Sequence, residues 1–375
     1  MKFLHISDLH IGKKVNGFSM IDDQEYILKK IINIAVEQCP DAILIAGDVY
    51  DKSVASTEAV QLFDKFLCRL SEHNLKVFII SGNHDSDIRL SFGSNLMNKS
   101  GVYISPVYNG CVSPVTLTDE YGEINIYMLP FVKPSNVRRF FEDEQINTYT
   151  DAINIAIQQM NIDKSKRNIM ITHQFVTGAV TSDSEEISVG GSDNVDVDIF
   201  DDFDYVALGH IHKPQKIKRD VVRYCGTPLK YSFSEAKDQK SVTIVEIKEK
   251  GNTNITTIPL IPKHDMREIR GTYEEVTLKS NYQNTNVEDY IHITLTDEED
   301  IPDAMGKLRL IYPNLMKIDY DNKRTQSNNV INNSNENEHT PFELFAELFE
   351  KQNNQTMNDR QSTYMKLVIK NIWED

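Results

Sequence analysis

Five short segments of the chain combine side chains that can bind metal ions with residues that form turns. In chain order they are Asp8-Leu9-His10, Gly47-Asp48, Gly82-Asn83-His84-Asp85, Thr172-His173 and Gly209-His210-Ile211-His212. Each segment alone is a weak signal, because a single histidine is more often a polar or surface residue and a Gly-Asp pair is usually a turn. Their joint occurrence is hard to obtain from turn chemistry alone. It indicates a metal site built from several loops.

The residue types favour a site for two metal ions. Two cations about 3.5–4 Å apart can hold both sides of a phosphoryl displacement when a shared carboxylate screens their repulsion. Asp48 is the candidate for that bridge. Asp8 and His10 are two residues apart, as are His210 and His212. Each of these loops can therefore direct two donors to one small volume if it is extended.

The donor set also indicates which metal to expect. Imidazole nitrogens, carboxylate oxygens and the amide oxygen of Asn83 form mixed shells, which suit manganese, iron or zinc better than calcium. The five segments contain no thiolate, which argues against a structural zinc site. We expect two divalent ions and take Mn²⁺ as the preferred one.

Predicted strands precede these segments. Apolar runs at 2–6, 42–46 and 76–80 alternate with amphipathic stretches at 22–38 and 57–73. This alternation predicts an α/β fold in which strand-helix-strand units form a buried parallel or mixed sheet. Ligands of such proteins bind at the carboxyl ends of the strands. Further strands are predicted at 124–129, 168–172, 204–208, 222–225 and 241–247.

The pattern predicts four parts of the chain. The main domain covers 1–262, and a small β/α unit covers 263–322, with strands at 290–295 and 316–320 and a helix at 302–311. A flexible linker rich in Asn and Ser follows at 323–339, and a helical tail covers 340–375.

The tail opens with a helix start signal, Thr340-Pro341-Phe342-Glu343, in which threonine caps the helix and glutamate completes a capping box. Its apolar face carries Phe342, Phe345, Leu348 and Phe349. A tail of this kind is either a small satellite core or a module that docks on a partner. We favour docking, because so short a segment stabilises itself poorly.

Composition sets limits on the class of protein. The chain has 375 residues and a formal net charge of −16, which is unusual for a nucleic-acid protein, although bound cations would offset acidic residues in a site. The four scattered cysteines form no Cys-x-x-Cys pair. No apolar run approaches the roughly 20 residues of a membrane-spanning helix. His5 and Asp8 interrupt the first residues before a signal-peptide region could form, so we expect a cytoplasmic protein.

The five segments resemble the signature of the calcineurin-like metallophosphoesterases, whose fold is a β-sandwich flanked by helices. Further stretches are similar to the SbcD nuclease family and its archaeal and eukaryotic double-strand-break repair relatives. These stretches are His84-Asp85-Ser86, Arg89-Leu90-Ser91-Phe92-Gly93, Gly226-Thr227-Pro228 and Tyr231-Ser232-Phe233. The resemblance extends over most of residues 1–260.

The resemblance implies a role for each site residue. The first metal would be surrounded by Asp8, His10, Asp48 and His212, and the second by Asp48, Asn83, His173 and His210. His84, positioned by Asp85, would face the scissile phosphate and stabilise developing charge or protonate the leaving oxygen. The alternative for His84 is a supporting contact to the metal ligands. Asp51 stands where relatives often have a histidine, which suggests a supporting role for it as well.

The resemblance also implies a DNA nuclease of the SbcCD type, which hydrolyses DNA ends and hairpins as a double-strand exonuclease and single-strand endonuclease in repair, recombination and replication. The 263–322 unit would be a DNA-facing capping domain. The tail would dock on an SMC-like ATPase of the SbcC type, and the chain would form a homodimer within a heterotetramer. Basic residues near the motif loops could contact DNA phosphates, or could be ordinary solvated residues: Lys13, Lys14, Arg89, Lys213, Lys216, Lys218 and Arg219.

Two other functions fit parts of the sequence. A phosphomonoesterase or cyclic-nucleotide phosphodiesterase could use the same metal ligands, because the ligands alone do not choose the substrate. Such an enzyme would not need the small unit, linker and apolar tail. A catalytically silent binding scaffold would have lost a ligand or the bridging carboxylate, and all of them are present.

Overall fold

The computed structural model describes residues 1–185, 193–323, 325, 340–353 and 355–373, with only the backbone described at 370–373. These residues divide into two units, Met1–Asp265 and Met266–Asp375. The predicted linker at 323–339 lies outside the described residues except at positions 323 and 325.

Two six-stranded sheets make up most of the first unit. Its strands are β1 Lys2–Ile6, β2 Lys14–Val15, β3 Phe18–Ser19, β4 Ala42–Ala46, β5 Lys76–Ile80, β6 Val102–Ile104, β7 Val115–Asp119, β8 Gly122–Leu129, β9 Arg167–His173, β10 Phe175–Val176, β11 Asn194–Val195, β12 Tyr205–Gly209, β13 Gln215–Ile217, β14 Arg219–Tyr224, β15 Ser241–Ile247 and β16 Thr253–Pro259. The strand orders are β16-β15-β1-β4-β5-β6 and β13-β14-β12-β9-β8-β7. The first sheet is mixed, as predicted, because β1 pairs parallel with β4 and antiparallel with β15.

A shared core lies between the two sheets. Leu44 of β4 belongs to the same buried cluster as Ile171 of β9 and Ala207 of β12, which come from the other sheet. Neighbouring residues of a strand point to opposite faces, so Ile43 and Ile45 of β4 lie on the outer face, where they are also fully buried. Both faces of this strand are thus covered, and the two sheets form a β-sandwich.

Helices cover the outer faces of the sandwich. The helices of this unit are α1 Ile21–Gln38, α2 Thr57–Glu72, α3 Asp87–Leu90, α4 Ser94–Met97, α5 Pro134–Arg138 and α6 Tyr149–Gln158, with 3₁₀ turns at Asn98–Ser100, Val197–Phe200 and Phe233–Glu235. On one side α2 contacts α1 and β5. On the other, Ile153 of α6 shares a buried cluster with Met170 of β9 and Val206 of β12. The predicted fold class is confirmed.

The second unit is a small α/β structure. Its elements are β17 Met266–Gly271, α7 Tyr273–Thr277, α8 Lys279–Tyr282, β18 Tyr290–Leu295, α9 Ala304–Arg309, β19 Leu315–Tyr320, α10 Pro341–Asn353 and α11 Asp359–Trp373. The three strands pair in parallel, in the order β17-β18-β19. Ile291 and Ile293 of β18 are buried with Leu308 of α9 and with Tyr312.

The helix of this unit that was predicted at 302–311 is shorter than expected. It begins only at Ala304, because Asp303 has a left-handed backbone (φ 51°) and accepts a hydrogen bond from Gly306 N through its side chain. An aspartate in this conformation caps a helix rather than continuing it.

The tail helix α10 begins as predicted. Thr340 N donates to Glu343 Oε2 (2.8 Å), and Glu343 N donates to Thr340 Oγ1 (3.3 Å), which confirms the capping box. The predicted apolar face, of which Phe342 is one residue, is half-buried, and α10 has no fully buried residue. Within the tail, Lys366 of α11 lies over the Phe342 ring, 4.8 Å from its centroid.

No helix within the described residues combines the length and apolar character needed to cross a membrane.

Candidate metal centre

The predicted ligands lie in loops that follow five strands from both sheets. Asp8 comes after β1, Asp48 after β4 and Asn83 after β5, while His173 ends β9 and His210 follows β12. The carboxyl ends of these strands lie at the same edge of the sandwich, where α/β proteins bind ligands. Three groups there have ligand atoms within 4.8 Å of one another: Asp8, His10 and His212; His10, Asp48 and His84; Asp8, Asp48 and His173.

Several residues of these loops have an unusual backbone conformation. Asp8 (φ 53°), His10 (φ 44°) and Asp48 (φ 48°) all have the left-handed backbone conformation, which residues other than glycine rarely adopt. Hydrogen bonds between the loops hold them in place, from Asp8 N to Gly47 O and from His10 N to Asp48 O, each 3.0 Å. Strained residues that are fixed by their surroundings cluster at functional sites.

Two glycines of the motifs are required by the close approach of these loops. A Cβ at Gly82 would lie 2.1 Å from Asp48 Oδ1, and a Cβ at Gly209 would lie 1.8 Å from Ala46 O. Both distances are far below van der Waals contact. The glycines therefore allow the Asp48 loop to lie directly against its neighbours.

Asp8, His10 and His212 form the first donor group. The Nε2 atoms of His10 and His212 are 3.1 Å apart, and His10 Nε2 is 3.7 Å from Asp48 Oδ2. The three side chains of this group and that of Asp48 are buried. Two imidazole nitrogens and two carboxylates that converge in the protein interior fit a divalent cation.

Asp48, Asn83, His173 and His210 form the second donor group. His173 Nδ1–H donates to Ala46 O at 2.8 Å, since a carbonyl oxygen can only accept. His173 Nε2 then faces Asn83 Oδ1 at 2.9 Å and Asp48 Oδ2 at 3.3 Å. His210 Nδ1 lies 3.0 Å from the same Asn83 oxygen. These acceptor atoms face one another, and a cation among them would satisfy all of them.

The electrostatics of the site also favour positive charge. Burial opposes the charge of Asp48, but the imidazoles of His173 and His10 lower the pKa of this carboxyl well below its ordinary value. Burial likewise opposes the charge of His173, yet Asp48 raises its pKa to about 9. Burial lowers the pKa of His10 strongly and that of His210 to about 3, which keeps both imidazoles neutral. Neutral imidazole and ionised carboxylate are the forms that bind metals, so a cation at the second donor group would take the place of the proton on His173.

His84 and Asp85 are in the site, but the expected contact between them is replaced by others. His84 Nδ1–H donates to the backbone oxygen of Asp51 at 3.1 Å, and Nε2 lies 4.0 Å from Asp48 Oδ2. The Asp85 carboxylate instead accepts hydrogen bonds from the backbone N–H groups of Gly82, Val49 and Tyr50, at 2.9–3.0 Å. The expectation that Asp85 holds the His84 ring is wrong. Asp85 fastens the loop that carries His84 to the loop that carries Asp48.

Two residues that support the first donor group were not identified as supports from the sequence. The buried Gln24 of α1 donates through Nε2 to His10 O at 2.7 Å, and Tyr231 OH donates to Leu9 O at 2.6 Å. Together they hold the left-handed loop around His10 from behind. Tyr231 lies in a stretch that carried the family resemblance, whereas Gln24 lies in an ordinary amphipathic helix, where no local pattern distinguishes it.

Most of the basic residues near the motif loops have acidic partners. Their ion pairs are Lys13–Asp51, Lys213–Asp238, Lys216–Asp220, Lys218–Asp198 and Arg219–Asp201. The side chains of Lys213, Lys216 and Lys218 are exposed, whereas that of Lys13 is largely buried against Asp51. Asp51, through its pair with Lys13 and its backbone contact to His84, has a supporting position.

The fold and the donor set together define a metal-dependent phosphoesterase. The family model of the calcineurin-like phosphoesterases matches residues 1–214, and that of the type 5 capsule protein repressor C-terminal domain matches residues 262–353. Two proteins named as the SbcD component of the nuclease SbcCD are similar along most of their length. The one from Staphylococcus epidermidis is 37% identical over 85% of this chain and 85% of its own, and the one from Staphylococcus saprophyticus is 38% identical over 85% and 84%. The chain belongs to the SbcD family of calcineurin-like metallophosphoesterases.

Proposed function

We propose that the chain hydrolyses DNA phosphodiester bonds with two bound metal ions, as the nuclease component of a complex with an SbcC-type, SMC-like ATPase. The observation that carries the proposal is the position of Asp48, whose carboxylate lies between the two donor groups. Relatives named as components of the SbcCD nuclease support DNA as the substrate. The proposal includes double-strand exonuclease and single-strand endonuclease action on ends and hairpins, in repair, recombination and replication in the cytoplasm.

In this proposal each donor group holds one ion. Asp8, His10, Asp48 and His212 hold the first, and Asp48, Asn83, His173 and His210 hold the second. Divalent ions bound there, which we propose to be Mn²⁺, would polarise the phosphoryl oxygens and favour attack by water. The buried residues of the loops fix the donors before substrate arrives, so that little reorganisation is needed on binding.

His84 is the proposed proton donor to the leaving group. Its Nδ1–H is occupied by the Asp51 carbonyl, so Nε2 is the ring nitrogen that can exchange a proton with substrate. In hydrolysis a water oxygen forms the new bond to phosphorus and gives a proton to solvent, the bond from phosphorus to the sugar oxygen breaks, and that oxygen takes a proton. A partly exposed His84 can deliver that proton and then take one from solvent.

The remaining parts of the chain have proposed roles in assembly. The small α/β unit would be the DNA-facing capping domain, and the tail helices would dock on the ATPase, since α10 leaves its apolar face only half-buried. A homodimer would form through the exposed apolar side chains of Ile88, Phe92 and Leu96, which are 70%, 85% and 74% exposed. Exposure of this extent on three apolar residues of the 88–96 stretch favours an interface.

A nuclease assay tests this function. The purified chain is incubated with hairpin, duplex and single-stranded DNA, with and without Mn²⁺ and with and without the ATPase. We expect Mn²⁺-dependent cleavage of DNA. Hydrolysis of phosphomonoesters or cyclic nucleotides by a protein that leaves all three DNA substrates intact would instead establish the small-molecule alternative.

A further inference from the structure

His173 of the second donor group and His212 of the first are held by different means. In the second group the remote ring nitrogen of His173 bonds to a backbone oxygen, that of Ala46. In the first group the remote nitrogen of His212, Nδ1, lies 2.5 Å from Ser184 Oγ, and this oxygen lies 2.5 Å from Glu235 Oε1. One ligand is thus held by main chain and the other by a relay of side chains.

Glu235 is fixed at the far end of this relay. Its side chain is fully buried and lies 2.6 Å from Lys240 Nζ, which is itself 3% exposed. Lys240 Nζ also donates to the backbone oxygen of His212 at 2.8 Å. The Glu235 carboxylate is therefore paired with a buried lysine, Lys240, which also bonds to the loop that carries His212.

The direction of the hydrogen bonds follows from the acceptor at the end of the chain. The ionised carboxylate of Glu235 only accepts, so the Ser184 hydroxyl donates to it. The Ser184 oxygen then accepts from His212 Nδ1–H. This fixes the tautomer of His212, and its Nε2 lone pair is directed at the first donor group, 3.1 Å from His10 Nε2.

We propose that Ser184 and Glu235 are positioning residues that set the affinity of the first metal position more strongly than that of the second. The inference rests on the proposed two-metal centre. Hydrogen bonds to the remote nitrogen of a metal-binding histidine orient the ring and raise its basicity, and their loss costs about 10–100-fold in metal affinity. The remote nitrogen of His173 bonds to the Ala46 backbone oxygen and to no member of this relay, so changes at Ser184 or Glu235 reach the second position only through the shared Asp48.

Metal binding to the full chain tests the inference without reference to activity. Mn²⁺ binding is measured by calorimetry for the wild type and for Ser184→Ala, Glu235→Gln and Ser184→Thr, and anomalous scattering at the manganese edge identifies the occupied position. We expect two ions in the wild type. In Ser184→Ala and Glu235→Gln the first position should weaken by about 10–100-fold, while the second weakens much less. Ser184→Thr keeps the hydroxyl and should bind the first ion with an affinity close to that of the wild type.

Asp119→Asn is the matched control, because it removes an acidic ion-pair partner at the other end of the sandwich, and it should keep both ions. Wild-type affinity at both positions in Ser184→Ala and Glu235→Gln would overturn the inference, as would equal weakening of both positions. If Glu235→Gln does not fold, Ser184→Ala decides, because it deletes a single oxygen. A wild type that binds no pair of ions would refute the metal centre itself, a result seen before any variant is made.

Discussion

The two ends of the β-sandwich treat buried charge in opposite ways. At the carboxyl ends of the strands, carboxylates and imidazoles face one another around Asp48. At the amino ends, the Arg167 guanidinium at the start of β9 is matched by Asp119 of β7, with NH2 2.5 Å from Oδ1, and by the backbone oxygens of Gly122, Ile247 and Lys248. The amino group of Met1 adds a further bond to Asp119 at 2.8 Å.

The difference separates a site from a structural support. A buried ion pair contributes stability only when its geometry is good and its remaining hydrogen bonds are satisfied, and Arg167 with Asp119 meets that condition within the protein. The loops around Asp48 collect acceptor atoms that another acceptor cannot satisfy. Their charge is balanced by something that the chain must bind, and this is why perturbed groups indicate function at one end and stability at the other.

The largest effect is expected at Asp48. Asp48→Asn removes the carboxylate that both donor groups share, so hydrolysis should fall below detection while the chain still folds. Cleavage of DNA in Mn²⁺ measures the first expectation, and circular dichroism with a thermal melt measures the second. A folded variant that still cleaves with Mn²⁺ would show that Asp48 is not the shared metal ligand.

His84→Ala should have a smaller effect on turnover and none on metal content. A proton donor contributes about 10² or more to the rate. His84 is not in either proposed ligand set, although its nearest ligand atom lies within 4.8 Å of those of His10 and Asp48. Single-turnover cleavage and Mn²⁺ stoichiometry, measured on the same preparation, separate the two. Loss of one ion from this variant would move His84 to the metal ligands.

Arg167→Ala tests the opposite end. Removal of the buried guanidinium deletes its bonds to Asp119 and to the backbone oxygens and leaves Asp119 with the Met1 amino group as its remaining cationic donor. The loss should cost roughly 3–5 kcal/mol in the free energy of unfolding. Urea denaturation of the metal-free protein measures that cost. Mn²⁺ stoichiometry of the variant, at a temperature where it is folded, should remain that of the wild type. An Arg167→Ala variant as stable as the wild type would show that the ion pair of Arg167 and Asp119 does not stabilise the fold.

The lowered pKa of Asp119 at this end predicts that the free energy of unfolding depends on pH. Hydrogen bonding by Arg167, helped by the amino terminus, holds the pKa of Asp119 well below its ordinary value. A carboxyl with a lowered pKa stabilises the fold fully above the unfolded pKa of about 3.9, and this contribution is lost as pH falls towards the folded pKa. The difference in unfolding free energy between wild type and Asp119→Asn should be constant from about pH 7 to 5 and shrink below about pH 4. Both proteins are unfolded in the presence of a metal chelator. A difference that is undiminished at pH 3 would contradict a lowered pKa at Asp119.

The smallest effect on hydrolysis is expected from the tail. Truncation near residue 330 leaves both ends of the sandwich intact, because the proposed metal ligands all lie before residue 213. Mn²⁺-dependent cleavage of simple DNA should be unchanged, while co-purification with the ATPase and ATP-dependent stimulation should be lost. Full-affinity binding of the ATPase by the truncated chain would place the docking surface elsewhere.

Local sequence determined the scaffold and the donor types. Apolar runs of strand length give β1, β4, β5, β15 and β18 with the predicted bounds, since a short apolar run bounded by turn residues is typical of a buried strand. The order of Asp, Asn and His segments after strands placed the donors at one edge of the sandwich. The strands β7 and β16 were not predicted, because their threonines and exposed polar residues interrupt the apolar run that marks a buried strand.

Tertiary structure alone decided how the donors are held. The relay from His212 through Ser184 to Glu235 joins residues 51 positions apart in sequence at its last step, and no local pattern marks either partner. The same holds for Gln24 behind His10, and for Asp85, which binds backbone amides rather than the histidine beside it. Hydrogen bonds depend on distances of a few tenths of an ångström between chain segments. Sequence patterns record the period and turns of each segment, and the packing of the two sheets sets those distances.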